Sequence, residues 1–146
     1  MKILKKILFL SIIILVSCEK NEDSIDTSKL LYYNFLFTSH SITTDMDNEI
    51  IENKYDTTVY SFFENDTVIA FKKVFKSVEN EVKYDTICAT YAINNSSINF
   101  SRFDNTHDYL LAYHWDIISL SEEYLKIKLI GPYGYSGEQQ LICINK

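Results

Sequence analysis

Three histidines, three cysteines and a scatter of serines and carboxylates carry whatever side-chain chemistry this 146-residue chain can perform. His40, His107 and His114 show no metal-ligand spacing. His114 and Asp116 lie two residues apart in an alternating segment, so they share one strand face, where a carboxylate can orient an imidazole. A metal site would need a further ligand converging from elsewhere. No Gly-x-Ser-x-Gly turn offers a strained nucleophile, and neither Cys88 nor Cys143 has a histidine beside it in sequence to activate it. A surface or hydrogen-bonded histidine is the ordinary reading of all three. The expectation is therefore no catalytic residues, no metal and no cofactor, with a hydrolase the least supported role.

Aromatic side chains form the larger set. Tyr33, Phe35, Tyr60, Phe62, Tyr91, Phe100, Tyr113 and Trp115 alternate with polar residues in segments that read as strands. If those strands close on themselves, the eight rings are the candidate lining of the interior. A small barrel either fills its lumen with side chains or holds one small ligand. In the second case tyrosine hydroxyls would orient a lipophilic guest within an apolar cavity. Both readings place the same residues inside.

Elements able to position such a set begin only after residue 18. Lys2, Lys5 and Lys6 precede an apolar run, Ile7 to Val16, interrupted only by Ser11. Ten helical residues reach roughly 15 Å, half of a bilayer core, which suits a signal h-region and not a permanent span. The run ends in Leu15-Val16-Ser17-Cys18. An aliphatic residue, a tolerant position, a small residue and a cysteine in that order resemble the lipobox of bacterial lipoproteins. The resemblance implies cleavage before Cys18 and addition of two or three acyl chains there. At about 0.8 kcal/mol per buried methylene, such chains give a stable membrane anchor.

Glu19 to Ser24 is polar and acidic, and reads as a tether. The expected division is a signal peptide over 1–17, the lipidated cysteine and tether over 18–28, and one domain over 29–146. A similar acidic segment after the lipidated cysteine routes some lipoproteins to the outer membrane, so that location is expected, on its periplasmic or surface face. Cleavage would remove three of fourteen Lys/Arg and none of the twenty acidic residues, leaving eleven basic against twenty acidic, or −9. An acidic domain without a basic cluster repels phosphate backbones, which argues against nucleic-acid binding. Cys88 and Cys143 would remain in an oxidising compartment, where a disulfide between them can form or both can serve as small core residues.

Past Cys18 the chain is rich in Tyr, Phe, Ile and Thr, and three of its four Gly and Pro residues fall in Gly131-Pro132-Tyr133-Gly134. Period-two alternation recurs, and no helical spacing is sustained. Eight strands are expected, at Leu30–Thr38, Tyr55–Phe63, Thr67–Phe75, Val82–Ile93, Ser97–Phe103, Asp108–Leu120, Tyr124–Ile130 and Glu138–Asn145. A long polar loop, Ser39 to Asn53, separates the first two. Short connections favour an antiparallel meander, and closure into a barrel removes exposed edges. An open two-sheet sandwich is the alternative.

Phe62-Phe63-Glu64-Asn65-Asp66-Thr67-Val68, the Ala89 to Phe100 hairpin, and Trp115 to Leu125 resemble hairpins of lipocalin-like domains in small bacterial lipoproteins. The resemblance implies an all-β, eight-stranded, antiparallel up-and-down barrel. It also implies a non-enzymatic role binding a small lipophilic ligand. The alternative is a protein-interaction module, either an accessory subunit of an outer-membrane complex or an enzyme inhibitor. Its support is the acidic surface, the Ser39–Asn53 loop and the Tyr133/Tyr135 loop.

Overall fold

The structure is a computed structural model that describes residues 25–102 and 110–146. The expected signal peptide 1–17, Cys18, the tether through Ser24, Phe103 and the turn Asp104 to His107 lie outside the described residues, as does the expected start of the sixth strand at Asp108. A one-turn 3-10 helix, Thr27–Leu31, is capped by Asp26, whose carboxylate accepts from the Ser28 amide at 3.2 Å. Eight strands follow: β1 Tyr33–Thr44, β2 Ile50–Phe62, β3 Thr67–Lys76, β4 Glu81–Asn94, β5 Ser97–Arg102, β6 His114–Leu120, β7 Tyr124–Ile130 and β8 Ser136–Asn145. Each pairs antiparallel with its neighbour in sequence, and β8 returns to β1. The domain is a closed eight-stranded up-and-down β-barrel, lipocalin-like in architecture.

Local chemistry explains the turns. Asp66 and Asn95 adopt positive φ, 57° and 56°, in the β2–β3 and β4–β5 hairpins, where short Asx side chains tolerate the left-handed region. The expected loop between the first two strands is instead mostly strand. Ser39 to Thr43 pair with Asp56 to Glu52, and the chain reverses only around Asp45–Glu49. The Asp45 carboxylate accepts from the amides of Asp47 and Glu49, both at 2.9 Å, and Asn48 takes φ 63°. These strand ends lack apolar alternation because they project beyond the core, so no buried face marks them as strand.

Two further boundaries move. Leu31 belongs to the 3-10 helix and not to β1. The sixth strand begins at His114, because Leu110 and Leu111 are both buried and consecutive strand residues face opposite sides. A turn, with the Tyr113 amide donating to the Leu110 carbonyl at 3.1 Å, folds both leucines into the core.

The lumen is filled at its centre. Phe35, Tyr60, Phe62, Ile87, Ile98, Trp115, Ile127, Leu129 and Leu141 are fully enclosed, with Leu30 of the 3-10 helix beneath them. Rings meet edge to face: Phe62 with Tyr91 at 5.0 Å, Phe100 with Trp115 at 4.8 Å, and Tyr60 with Trp115 at 5.6 Å between centroids. Such contacts contribute about 0.5–1.5 kcal/mol each beyond area burial.

Candidate functional site

The inward-facing residues change character along the long strands. Register places Phe35, Tyr60, Ala70 and Ile87 in one layer across β1–β4. The next layer is Phe37, Thr58, Lys72 and Asp85, and the one above it is Ser39, Asp56, Val74 and Lys83. Apolar packing therefore gives way to polar and charged side chains within two layers.

A cavity of about 440 Å³ opens at this transition, lined by Phe37, Thr38 and Ser39 of β1, Asp56, Thr58 and Tyr60 of β2, Lys72 of β3 and Gln139 of β8. Its volume falls within the range of small-molecule sites. Two rings, Phe37 and Tyr60, supply apolar wall. Thr58 is buried despite its hydroxyl. Asp56 Oδ2 lies 3.1 Å from the Lys54 ammonium and 3.7 Å from that of Lys72. The other oxygen, Oδ1, is buried and has no hydrogen-bond partner among the described residues. A buried acceptor left unpaired is costly, so Asp56 Oδ1 is a group that a donor on a guest could satisfy.

Of the eight aromatic residues expected to line the interior, Phe35, Tyr60, Phe62, Tyr91 and Trp115 are buried, while Tyr33, Phe100 and Tyr113 pack against the core from partly buried positions. Only Tyr60 among them reaches the cavity. Phe35, Phe62, Tyr91 and Trp115 fill the lumen, and Tyr33, Phe100 and Tyr113 pack against that core. Tyr91 turns its hydroxyl out to donate to the Phe63 carbonyl at 2.9 Å, and burial raises its pKa above the ordinary phenol value, with the Asp66 charge adding to the effect. Phe37, Thr58, Asp56 and Lys72 were not legible as site residues. Their only signal is that period two continues on β2 and β3 while apolar side chains give way to charged ones.

Histidine chemistry is occupied elsewhere. His114 Nε2 lies 2.9 Å from Asp116 Oδ1, and Nδ1 lies 2.6 Å from Asn99 Oδ1. Ser97 donates its hydroxyl to the same Asp116 oxygen at 2.6 Å. Serine, aspartate and histidine thus meet on the outer wall, but the carboxylate stands in the middle and the serine never faces the imidazole. A nucleophile needs its base within reach, so this cluster orients side chains across the β5–β6 seam. The Ser97 hydrogen bond, and then His114, hold the Asp116 carboxyl below its usual range, against opposing desolvation. His40 stacks on Tyr55 at 4.1 Å and pairs with Asn53, Nε2 to Oδ1, at 2.7 Å. His107 lies outside the described residues. No group of three or more His, Cys, Asp or Glu capable of holding a metal occurs among the described residues.

The possible Cys88–Cys143 disulfide is not formed. Cys88 is an exposed free thiol on β4, and Cys143 is a partly buried free thiol on β8, with β1, β2 and β3 between them on that side of the barrel. Cys143 contacts the Ser121 carbonyl at 3.6 Å, and burial raises its thiol pKa. No protein-family model matches this chain, and no curated protein matches it.

Proposed function

We propose that this chain is a non-enzymatic envelope lipoprotein, held at the outer membrane by acyl chains on Cys18, whose barrel mouth binds a small molecule. The observation that carries the binding reading is the cavity of about 440 Å³ between the Phe37 and Tyr60 rings and the Asp56–Lys72 ion pair. It favours a guest with an apolar body and a polar end over the wholly lipophilic guest expected from the aromatic count, because rings fill the lumen below. The anchor reading is supported by the lysines, apolar run and lipobox-like Leu15 to Cys18.

Native mass spectrometry of protein purified from its own envelope tests the binding role. A bound small molecule, displaced in Thr58→Phe, is the expected result; a persistently empty protein rejects it. Labelled palmitate should be incorporated into the parent chain and not into Cys18→Ser. Equal labelling of both would reject the anchor.

A second reading, a protein-interaction module, is favoured by the outer wall of β1–β4. There Tyr55 stacks between His40 and Phe75, and Phe71 stacks on the exposed Tyr84 at 6.1 Å. Tyr133 is wholly exposed at φ 60°, an uncommon backbone setting for a bulky residue. Exposed aromatics of this kind anchor protein partners. Crosslinking in intact cells should recover one defined protein; capture of random neighbours alone would reject this role.

A further inference from the structure

Strand β1 pairs with β2 along nearly its whole length, but with β8 over only four residues, Tyr33 to Leu36 against Asn145 to Ile142. Continuing that register would set Phe37 opposite Leu141 and Ile42 opposite Ser136, and none of those pairs forms. Over Ser136 to Leu141, β8 is paired only on its other side, with β7. Beyond Leu36 and Ile142, both strands therefore present main-chain edges without a partner strand among the described residues. The cavity sits in this parting of the wall. Phe37 and Ser39 face inward and Thr38 outward, yet all three line it, with Gln139 across from them. Its lining thus spans both of the strands that part, β1 and β8.

Natural sheets protect such edges with lysine, proline or inward charge. From Thr38 to Thr44, β1 reads Thr-Ser-His-Ser-Ile-Thr-Thr, with no acidic residue, Lys, Arg, Pro or Gly. Threonine and isoleucine favour extended pairing. The one irregularity, a register shift at Thr43/Thr44, lies at the far end. A small molecule can fill the cavity, but it cannot satisfy a row of main-chain donors and acceptors at strand spacing. An extended peptide does both, since added strands gain affinity from the backbone and specificity from pockets for alternate side chains.

We propose that an extended segment of a partner protein adds as a strand to the β1 edge between Phe37 and Thr44, with one inward-facing side chain seated in the cavity. An apolar stem would lie against Phe37 and Tyr60, and a polar tip would reach Asp56 and Lys72. This rests on the reading of the cavity as a binding site and adds a peptide side chain to the classes of guest that the site can take.

The test uses the full chain in detergent micelles, a display library of randomised ten-residue peptides, and a small-molecule fragment library as the comparison arm. Selected peptides are expected to slow amide exchange at alternate residues from Phe37 to Thr44, and to bind roughly tenfold or more weakly to Thr58→Phe, the loss from filling one side-chain pocket. Fragments that shift Phe37, Thr58 and Lys72 signals, with no peptide protecting β1, would overturn the strand proposal and leave the cavity reading standing. Failure of both libraries to perturb these residues would reject both. Protection of β1 that rises with protein concentration alone would assign the edge to a second copy, and so also overturn the proposal.

Discussion

The indole N–H of Trp115 donates to the main-chain carbonyl of Leu110 at 2.9 Å, in a wholly buried contact five residues apart. That bond ties the turn that tucks in Leu110 and Leu111 to the ring on which Tyr60, Phe62 and Phe100 converge. Trp115→Phe would remove one of the two donors to that carbonyl, leaving the Tyr113 amide, and would leave a void. A loss of about 1–3 kcal/mol is expected from the lost hydrogen bond and the void together, read as a lower urea midpoint by circular dichroism. An unchanged midpoint would show that the turn is held by something else.

Gly131 closes the other end of this region. A Cβ built there would clash with Tyr113 Cε1 and lie 2.6 Å from its Cδ1, closer than any real contact. Gly131→Ala should therefore destabilise by about 1–3 kcal/mol, as overpacking does. Combining it with Tyr113→Ala should cost less than the sum of the two single changes, because the clash needs both groups. Strict additivity in thermal melts would contradict the close approach.

Thiol reactivity separates the two free cysteines. Cys88 is exposed, whereas burial raises the Cys143 thiol pKa and so depletes its reactive thiolate. Maleimide labelling of the native protein near pH 8 should give one fast and one slow modification, and Cys88→Ser should remove the fast one. Two thiols that resist labelling until reductant is added would instead mean a disulfide.

Asp116 sets a pH dependence whose sign follows from its hydrogen bonds. Ser97, and then His114, lower its folded pKa beneath the unfolded value of about 3.9. Its contribution is thus fully present above that value and is lost as pH falls through the lower, folded one. The side chain is 43% exposed, so solvent screening keeps the effect small, at most about 1 kcal/mol. Asp116→Asn should be less stable than the parent at pH 7 and converge with it as pH falls past the unfolded value and through the lower, folded one, measured by urea denaturation across pH. A gap that persists in acid would point to shape and not charge.

Lys146 fastens the closed end. Its ammonium donates to the carbonyls of Leu31 at 2.7 Å and Phe62 at 2.6 Å and lies 4.9 Å from the centre of the Phe63 ring. Lys146→Met keeps the stem and removes the donors, so about 1–3 kcal/mol should be lost. Faster amide exchange in the 3-10 helix Thr27–Leu31 is the expected local signature.

Period-two burial was enough to specify the strands: Tyr60 and Phe62, Ile87 and Ala89, and Leu125, Ile127 and Leu129 alternate because a pleat sends every second side chain inward. Closure into a barrel and not a sandwich was decided by the pairing of β8 with β1. Turn chemistry at Asp66 and Asn95 was equally readable, since few side chains accept positive φ. The outer halves of β1 and β2 were not, because Ser39–Thr44 and Ile50–Asn53 pair through backbone groups that every residue carries alike. Nor could alternation say whether inward rings enclose a space or fill it; that depended on their edge-to-face distances around Trp115. The meeting of Phe37, Thr58, Lys72 and Gln139 was decided by the strand register and the parting of β1 from β8, both set by contacts between residues distant in sequence.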